Sequence, residues 1–381
     1  MKKKIIIFIS IMSVIILFYI ICFLFINNSF IKTNKSSNDI PYTPARLNNS
    51  DSNSKNSNDK NQISPYVSIT YGINDDTTDT GRRIQYYTYS IDKKKLDLQC
   101  SIPYAAQYGT GVVSLANQKV YYSGRAGENA NDSITEYDLK TGETKALENE
   151  NATYNDIAIV DNHTLLVTAI SKKNECNWPA TFDLNSRTFT YLYDVNNISD
   201  SLYSTRAGRI NYNYIYNKFV DVFVNQDEFY SPKFHSNEVA IDYNIALVSP
   251  DLLINKENIF TKKTKVADDI YMETQISDDS ILLQVIDLVG YKRSFYLIDL
   301  INKSIKEIDC PFKNAIYITD CVTLDQGKTY FVLGGFQNGK EVQKNGLFYY
   351  DTNTKQAEPI LMNNDSIQGH VINFTVVGSG L

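Results

Sequence analysis

The chain has 381 residues, of which 43% are hydrophobic and 12% are aromatic, as expected of a globular protein. Its net charge is −6, and residues 1–31 hold three Lys and no acid, so the rest of the chain is more acidic still. A basic surface for nucleic acid is therefore absent, and an acidic exterior repels anionic lipids and acidic polymers unless a cation bridges them. Composition thus excludes nucleic acid as the expected partner.

Residues 5–26 form an apolar run that only two Ser and one Tyr interrupt, apart from Cys22. As a helix this run is about 33 Å long, enough to cross a bilayer core. Three Lys precede it, and positive flanks stay inside. We therefore expect a cytoplasmic tip at residues 1–4, a single-pass transmembrane signal anchor at residues 5–26 and an extracytoplasmic remainder. A cleaved signal peptide fits less well because the run is long, and a lipoprotein acylated at Cys22 fits less well because bulky Ile21 precedes that residue.

Residues 27–65 are predicted to be a disordered linker. The stretch 34–64 is rich in Asn, Ser, Asp and Lys and has too few large apolar residues to offset the entropy of ordering. It would hold the folded domain away from the membrane without fixing its orientation.

No motif for a cofactor or metal is present. The three His form no metal spacing, no two Cys have C-x-x-C spacing, and both phosphate-cradling glycine loops and nucleophile elbows are missing. We expect no cofactor and no metal. A disulfide between Cys310 and Cys321 stays open.

From Tyr66 onward the sequence consists of short alternating runs rich in Tyr, Val and Ile, which are typical of β-strands. One hairpin element recurs: an apolar strand ends in Asp, a polar turn follows and a second strand begins. An Asp carboxylate can accept backbone N–H bonds in such a turn, so the role predicted for it is structural. The element occurs at Asp92, Asp138, Asp183, Asp299 and Asp351.

These Asp residues are 46, 45, 116 and 52 residues apart, so one degenerate copy is expected inside the long interval. A period of about 40–60 residues with several strands per unit indicates a β-propeller. Four strand-like runs fill the interval, at residues 209–216, 218–225, 238–248 and 252–260, and together they make one blade. The predicted fold is an all-β, six-bladed propeller over residues 66–381, with seven blades as the alternative.

This pattern resembles the TolB-like six-bladed class of propellers, at the level of architecture only. Residues 66–100 supply three strands, and residues 370–378 supply one isolated strand that would complete the first blade. Joining the ends in this way removes exposed sheet edges. The resemblance implies that the loops between the second and third strands of each blade crowd the usual ligand face, and it transfers no catalytic residue.

Those loops are long and polar, and loops of this kind carry function more often than tight turns do. Asp75, Asp76 and Asp79 could bind calcium, although a solvated acidic turn is the simpler interpretation. Trp178 could stack on a sugar or peptide, or pack between blades. The candidate ligand-binding residues are Asp75, Asp76, Asp79, Arg82, Arg125, Glu128, Trp178, Asp227, Glu228, His235 and Arg293.

Three functions are compatible with this sequence. The favoured one is a noncatalytic module on the bacterial cell surface that binds a wall component, a peptide or a protein partner. An alternative is a surface glycan hydrolase or lyase, with acids such as Asp227 and Glu228 converging on the channel. The third is a scaffold for membrane protein assembly, in which the membrane segment itself recruits partners.

Overall fold

The structure is a computed structural model, which describes residues 63–104, 109–125, 131–148, 150–170, 172, 177–192, 203–205, 211–225, 240–251, 260–265, 268–287, 289–337 and 344–378. The predicted cytoplasmic tip, membrane segment and most of the linker lie outside these residues. Among the described residues, no helix has both the length and the apolarity needed to span a bilayer.

The described residues form six antiparallel sheets of four strands each. The first sheet is β24 (His370–Val377), β1 (Tyr66–Asn74), β2 (Arg82–Ser90) and β3 (Lys95–Pro103). The second is β4 (Gly111–Ser114), β5 (Lys119–Arg125), β6 (Asp132–Asp138) and β7 (Thr144–Ala146). The third is β8 (Thr153–Ile159), β9 (Thr164–Ile170), β10 (Asn177–Asp183) and β11 (Thr188–Tyr191).

The fourth sheet is β12 (Tyr203–Thr205), β13 (Phe219–Asn225), β14 (Ala240–Val248) and β15 (Phe260–Lys265). The fifth is β16 (Asp268–Ser277), β17 (Ser280–Asp287), β18 (Arg293–Asp299) and β19 (Ser304–Ile308). The sixth is β20 (Ala315–Val322), β21 (Thr329–Phe336), β22 (Lys344–Asp351) and β23 (Gln356–Met362). A 3₁₀ turn, Asp365–Ile367, precedes β24.

The six sheets are the blades of a propeller, as the hairpin spacing predicts. The first-named strand of each sheet lies innermost: β4 contacts β8, and β16 contacts β20. The outermost strands are the exposed ones, such as β7 and β19. Apolar side chains fill the spaces between neighbouring sheets, for example Met272 and Leu282 of the fifth sheet against Ile318 and Val332 of the sixth. The ring closes within the first sheet, where Tyr66 of β1 pairs with Val377 of β24.

The recurrent Asp caps its hairpin, in agreement with the sequence-based interpretation. Asp138 Oδ1 accepts hydrogen bonds from the backbone N–H groups of Lys140 (2.8 Å) and Thr141 (2.9 Å). The carboxylates of Asp183, Asp299 and Asp351 accept equivalent bonds from their own turns. These short-range bonds set the register of the third and fourth strands in four blades.

The first blade differs from the prediction, because Asp92 is not the capping residue. Strand β2 ends at Ser90, and the Ser90 hydroxyl accepts a long 3.4 Å hydrogen bond from the Lys93 N–H. A serine can replace the aspartate since its oxygen is also a turn acceptor. The turn acceptor of the first blade therefore lies two residues before the predicted one.

The fourth blade differs as well. Residues 209–216, predicted as its first strand, are not a strand in the described part from Asn211 onward; the first strand is β12, at Tyr203–Thr205. The alternation of Tyr and Asn imitates a strand, but the segment turns back on itself, with an isolated bridge between Asn213 and Lys218 and Asn217 in the left-handed region (φ 50°).

The Cys310–Cys321 disulfide is not formed. Both thiols are free; Cys310 is exposed, whereas Cys321 is fully buried beside the Met272 sulfur, 3.5 Å away. Burial raises the pKa of both thiols.

Strand direction alternates within each sheet, so the connections fall on two faces. On one, here called the loop face, lie the links between second and third strands and the links from each outermost strand to the next blade. On the other, the hairpin face, lie the Asp-capped hairpins and the links between first and second strands. Strand β1 is a second strand, so the described chain enters at the hairpin face.

Candidate functional site

The six long loops that the sequence singles out all join second and third strands, and so all belong to the loop face. They span residues 75–81, 126–131, 171–176, 226–239, 288–292 and 337–343. Four candidate residues, Glu128, Asp227, Glu228 and His235, lie outside the described residues.

Asp75 shapes its own loop. Its Oδ1 accepts hydrogen bonds from the Thr77 N–H (2.9 Å) and hydroxyl (2.5 Å), and its Oδ2 pairs with Arg83 Nε at 2.6 Å. The hydrogen bonds from Thr77 and then from Arg83 lower the pKa of Asp75 to about 2. Asp76, Asp79 and Arg82 are exposed. No group of three metal-binding side chains occurs among the described residues, this loop included.

The other described candidates, Arg125, Trp178 and Arg293, interact with neighbouring residues of the protein or are buried within it. Arg125 Nε lies 3.6 Å from a carboxylate oxygen of buried Asp132. Trp178 has no exposed surface, so its ring packs within the blades in this conformation. Arg293 donates from Nη1 to the Ile316 carbonyl of the neighbouring blade at 2.9 Å. The structure therefore does not gather these candidates into one cluster.

A cavity of about 330 Å³ opens on the loop face, between the sixth blade and the innermost strand of the first. Its polar groups come from Tyr317, Thr319, Asn363 and His370. The remainder of its lining is apolar or glycine: Leu333, Gly334, Gly346, Val371 and Ile372. Its volume is at the small end of the range found for ligand pockets.

Two of the polar side chains are fixed by the backbone. Thr319 donates to the Leu333 carbonyl at 3.1 Å, and Asn363 accepts from the Val371 N–H at 3.0 Å through Oδ1. Gly334 and Gly346 face each other across β21 and β22, where an added Cβ would collide with backbone. The wall is thus preformed. His370 remains exposed at the rim.

The channel is crossed at the opposite, hairpin face by residues 211–218, here called the floor segment. Asn213 Nδ2 donates to the Thr323 carbonyl of the sixth blade at 2.7 Å, and the Tyr216 hydroxyl donates to the Ile276 carbonyl of the fifth at 3.2 Å. Tyr212 packs against the third blade. Tyr214 packs with side chains of the first and sixth. The floor segment therefore spans the hairpin-face end of the channel.

Deeper in the channel, blades one and three are joined by a buried polar cluster. Asn373 Nδ2 donates to Asp156 Oδ1 at 3.1 Å and to the Thr110 hydroxyl at 2.8 Å. All three side chains are more than nine-tenths buried. This cluster therefore ties the innermost strands of blades one and three, β24 and β8, to each other inside the ring.

The sequence predicts a closing role for residues 370–378, but it does not single out His370, Tyr317, Thr319 or Asn363 as site residues. His370 and Tyr317 are 53 positions apart and meet only because the ring closes. The one available signal was the predicted closure, which brings the start of the last strand beside the sixth blade.

The chain matches no known family model and no curated protein. Among solved structures, an oligogalacturonate lyase in complex with manganese aligns with a TM-score of 0.41 and 10% identity, over 80% of this chain and 86% of that one. TolB from Acinetobacter baumannii aligns at 0.39 and 11%, over 80% and 66%. A putative 6-phosphogluconolactonase from Bacteroides fragilis aligns at 0.42 and 10%, over 85% and 100%. The described fold resembles this class of propeller in architecture, and the likeness extends no further.

Proposed function

We propose that this chain is a membrane-anchored, extracytoplasmic binding module without catalytic activity, and that its ligand is held at the loop-face cavity. The observation that carries the proposal is the preformed cavity with its rim of Tyr317 and His370. Polar groups in a mostly apolar pocket fix the orientation of a bound molecule.

A thermal-shift measurement on the full chain in detergent tests the binding site. Muropeptides, oligosaccharides and peptides serve as probes, because a ligand selective for the folded state raises its Tm. We expect one class to raise the Tm, and His370→Trp, which fills the rim, to remove that rise. Ile301→Ser, an exposed change on the hairpin face, should preserve it. A rise that persists in His370→Trp, or no rise with any class, would contradict the proposal.

The anchor requires its own measurement. In membrane vesicles of defined orientation, the full chain should resist alkaline extraction and expose residues 63–381 to protease only on the extracytoplasmic side. Release of the chain by alkali, or cleavage from the cytoplasmic side, would rule out the proposed topology.

A further inference from the structure

An exposed apolar patch adjoins the cavity. Nine large hydrophobic side chains among the described residues are well exposed, and five of them lie on the loop face, over blades five and six and the link to β24. These five, called the apolar patch, are Tyr271, Val289, Tyr291, Ile316 and Ile367. A concentration of exposed apolar side chains on one face favours an interaction site there.

Two members of the patch are held outward by a rigid turn. Val289 is 78% exposed and Tyr291 73%. Asp287 Oδ1 accepts from the Val289 N–H at 2.8 Å and from the Gly290 N–H at 3.1 Å. Tyr291 occupies the left-handed region (φ 54°), which costs a tyrosine conformational energy. Because its ring is mostly exposed, the fold gains little from burying a tyrosine at this position.

The patch is continuous with the cavity. Arg293 follows the turn and crosses to the Ile316 carbonyl, and the next residue, Tyr317, lines the cavity.

The charge of this region is opposite to that of the whole chain. In residues 287–293, 309–314, 344 and 363–369, the described side chains include four cations, Lys292, Arg293, Lys313 and Lys344, and three carboxylates, Asp287, Asp309 and Asp365, of which Asp287 already caps its turn. The chain as a whole carries −6. The complementary ligand is therefore acidic.

We propose that the apolar patch and the adjoining cavity are a docking surface for a protein segment that carries a large apolar side chain beside an acidic one. The inference rests on the proposed function and names its partner class. Tyrosine and arginine around a pocket are the composition of protein-binding hot spots. A glycan would find nothing to hydrogen-bond on Val289, Ile316 or Ile367, whereas apolar side chains of a protein would bury them.

Selection of phage-displayed random dodecapeptides on the immobilised full chain tests this. We expect enriched sequences to place Trp, Phe, Leu or Ile within two positions of Asp or Glu. Synthetic copies of them should bind about tenfold more weakly to the double variant Val289→Ser/Tyr291→Asn, the loss typical of a hot-spot truncation. Asn is chosen because it tolerates the left-handed conformation. Arg293→Gln should weaken acidic peptides and leave their Gln and Asn counterparts unchanged.

The matched control is Ile301→Ser/Ile305→Ser, which removes two exposed side chains from the same blade away from the loop face. It should bind like the parent. Enrichment of peptides without the apolar–acidic pair, equal binding to both double variants, or no enrichment at all would overturn the inference. If a muropeptide or sugar raises the Tm and His370→Trp abolishes the effect while no peptide is selected, the proposed function stands and the partner class is wrong. If neither probe binds, both fail.

Discussion

The floor segment ties the ring together through one buried side chain, Asn213, which is 2% exposed. Its Nδ2 donates to the Thr323 carbonyl at 2.7 Å, and its Oδ1 accepts from the Ile215 N–H at 3.0 Å. Asn213→Ala removes both bonds and leaves two backbone groups without partners at the end of the channel. We expect this change to destabilise the whole propeller.

The magnitude follows from the two groups. A buried polar group that loses its partner costs about 1–3 kcal/mol, and a hydrogen bond that water can replace costs about 0.5–1.5 kcal/mol. The Thr323 carbonyl belongs to a fully buried residue, whereas Ile215 is 46% exposed and its N–H can bind water. The expected loss in the free energy of unfolding is therefore about 1.5–4.5 kcal/mol. Asn213→Asp keeps the acceptor oxygen and loses the amide donor. It should therefore lose at least the part of the free energy of unfolding that comes from the hydrogen bond to the Thr323 carbonyl.

Urea unfolding followed by tryptophan fluorescence measures this loss. The chain has a single Trp, Trp178, which is fully buried in the third blade, whereas the Thr323 bond reaches the sixth. A lower urea midpoint at Trp178 therefore reports cooperation across the ring. Ile215→Ala, an exposed change in the same segment, should stay within about 0.5 kcal/mol of the parent. If Asn213→Ala unfolds at the parental midpoint, the floor segment does not stabilise the ring and the reasoning is refuted.

Three further outcomes are expected. Lys303 occupies the left-handed turn position (φ 47°) that Gly142 occupies in another blade (φ 75°). Lys303→Gly should therefore raise the free energy of unfolding by about 0.5–1 kcal/mol, and Gly142→Ala should lower it by about 1 kcal/mol. Urea midpoints that move in the opposite directions would be inconsistent with this reasoning. The folded pKa of Asp75, about 2, is below its unfolded value of about 3.9, so its stabilisation is complete above about pH 4 and is lost towards pH 2. The stability difference between the parent and Asp75→Asn should therefore shrink over that interval in acid titrations, and a constant difference would contradict the assignment. Deleting residues 370–381 removes the innermost strand of the first sheet and should abolish cooperative melting in calorimetry, whereas a truncated chain that melts like the parent would disprove closure through that strand.

The blade count could be predicted because the feature that marks each blade is local. An aspartate such as Asp138 bonds to N–H groups two and three positions away, so spacing in the sequence reports spacing of hairpins. The error at Asp92 has the same origin. Ser90 accepts the turn bond in the first blade, and a serine among other polar residues gives no comparable sequence signal.

The floor segment could not be predicted, because its partners are distant in sequence. Alternating Tyr and Asn satisfy the period of a strand, yet Asn213 is bound to a carbonyl 110 positions away. The cavity could not be predicted for the same reason, because its lining residues are far apart in sequence. Val289 and Tyr291 have the composition of a strand, and their exposure becomes visible only once Asp287 is seen to cap a turn beneath them.

The two faces of the propeller differ in what their residues do for the fold. The capped hairpins, the floor segment and the chain entry all lie on the hairpin face, where a substitution removes hydrogen bonds between blades or within turns. On the loop face, the side chains of Val289 and Tyr291 are the most exposed, so their burial adds little to the stability of the fold. Substitutions should therefore separate: those that remove a hairpin-capping or floor-segment hydrogen bond lower the free energy of unfolding, and those in the apolar patch alter binding without lowering it. That separation allows a binding defect in the patch variants to be interpreted as a lost contact and not as partial unfolding.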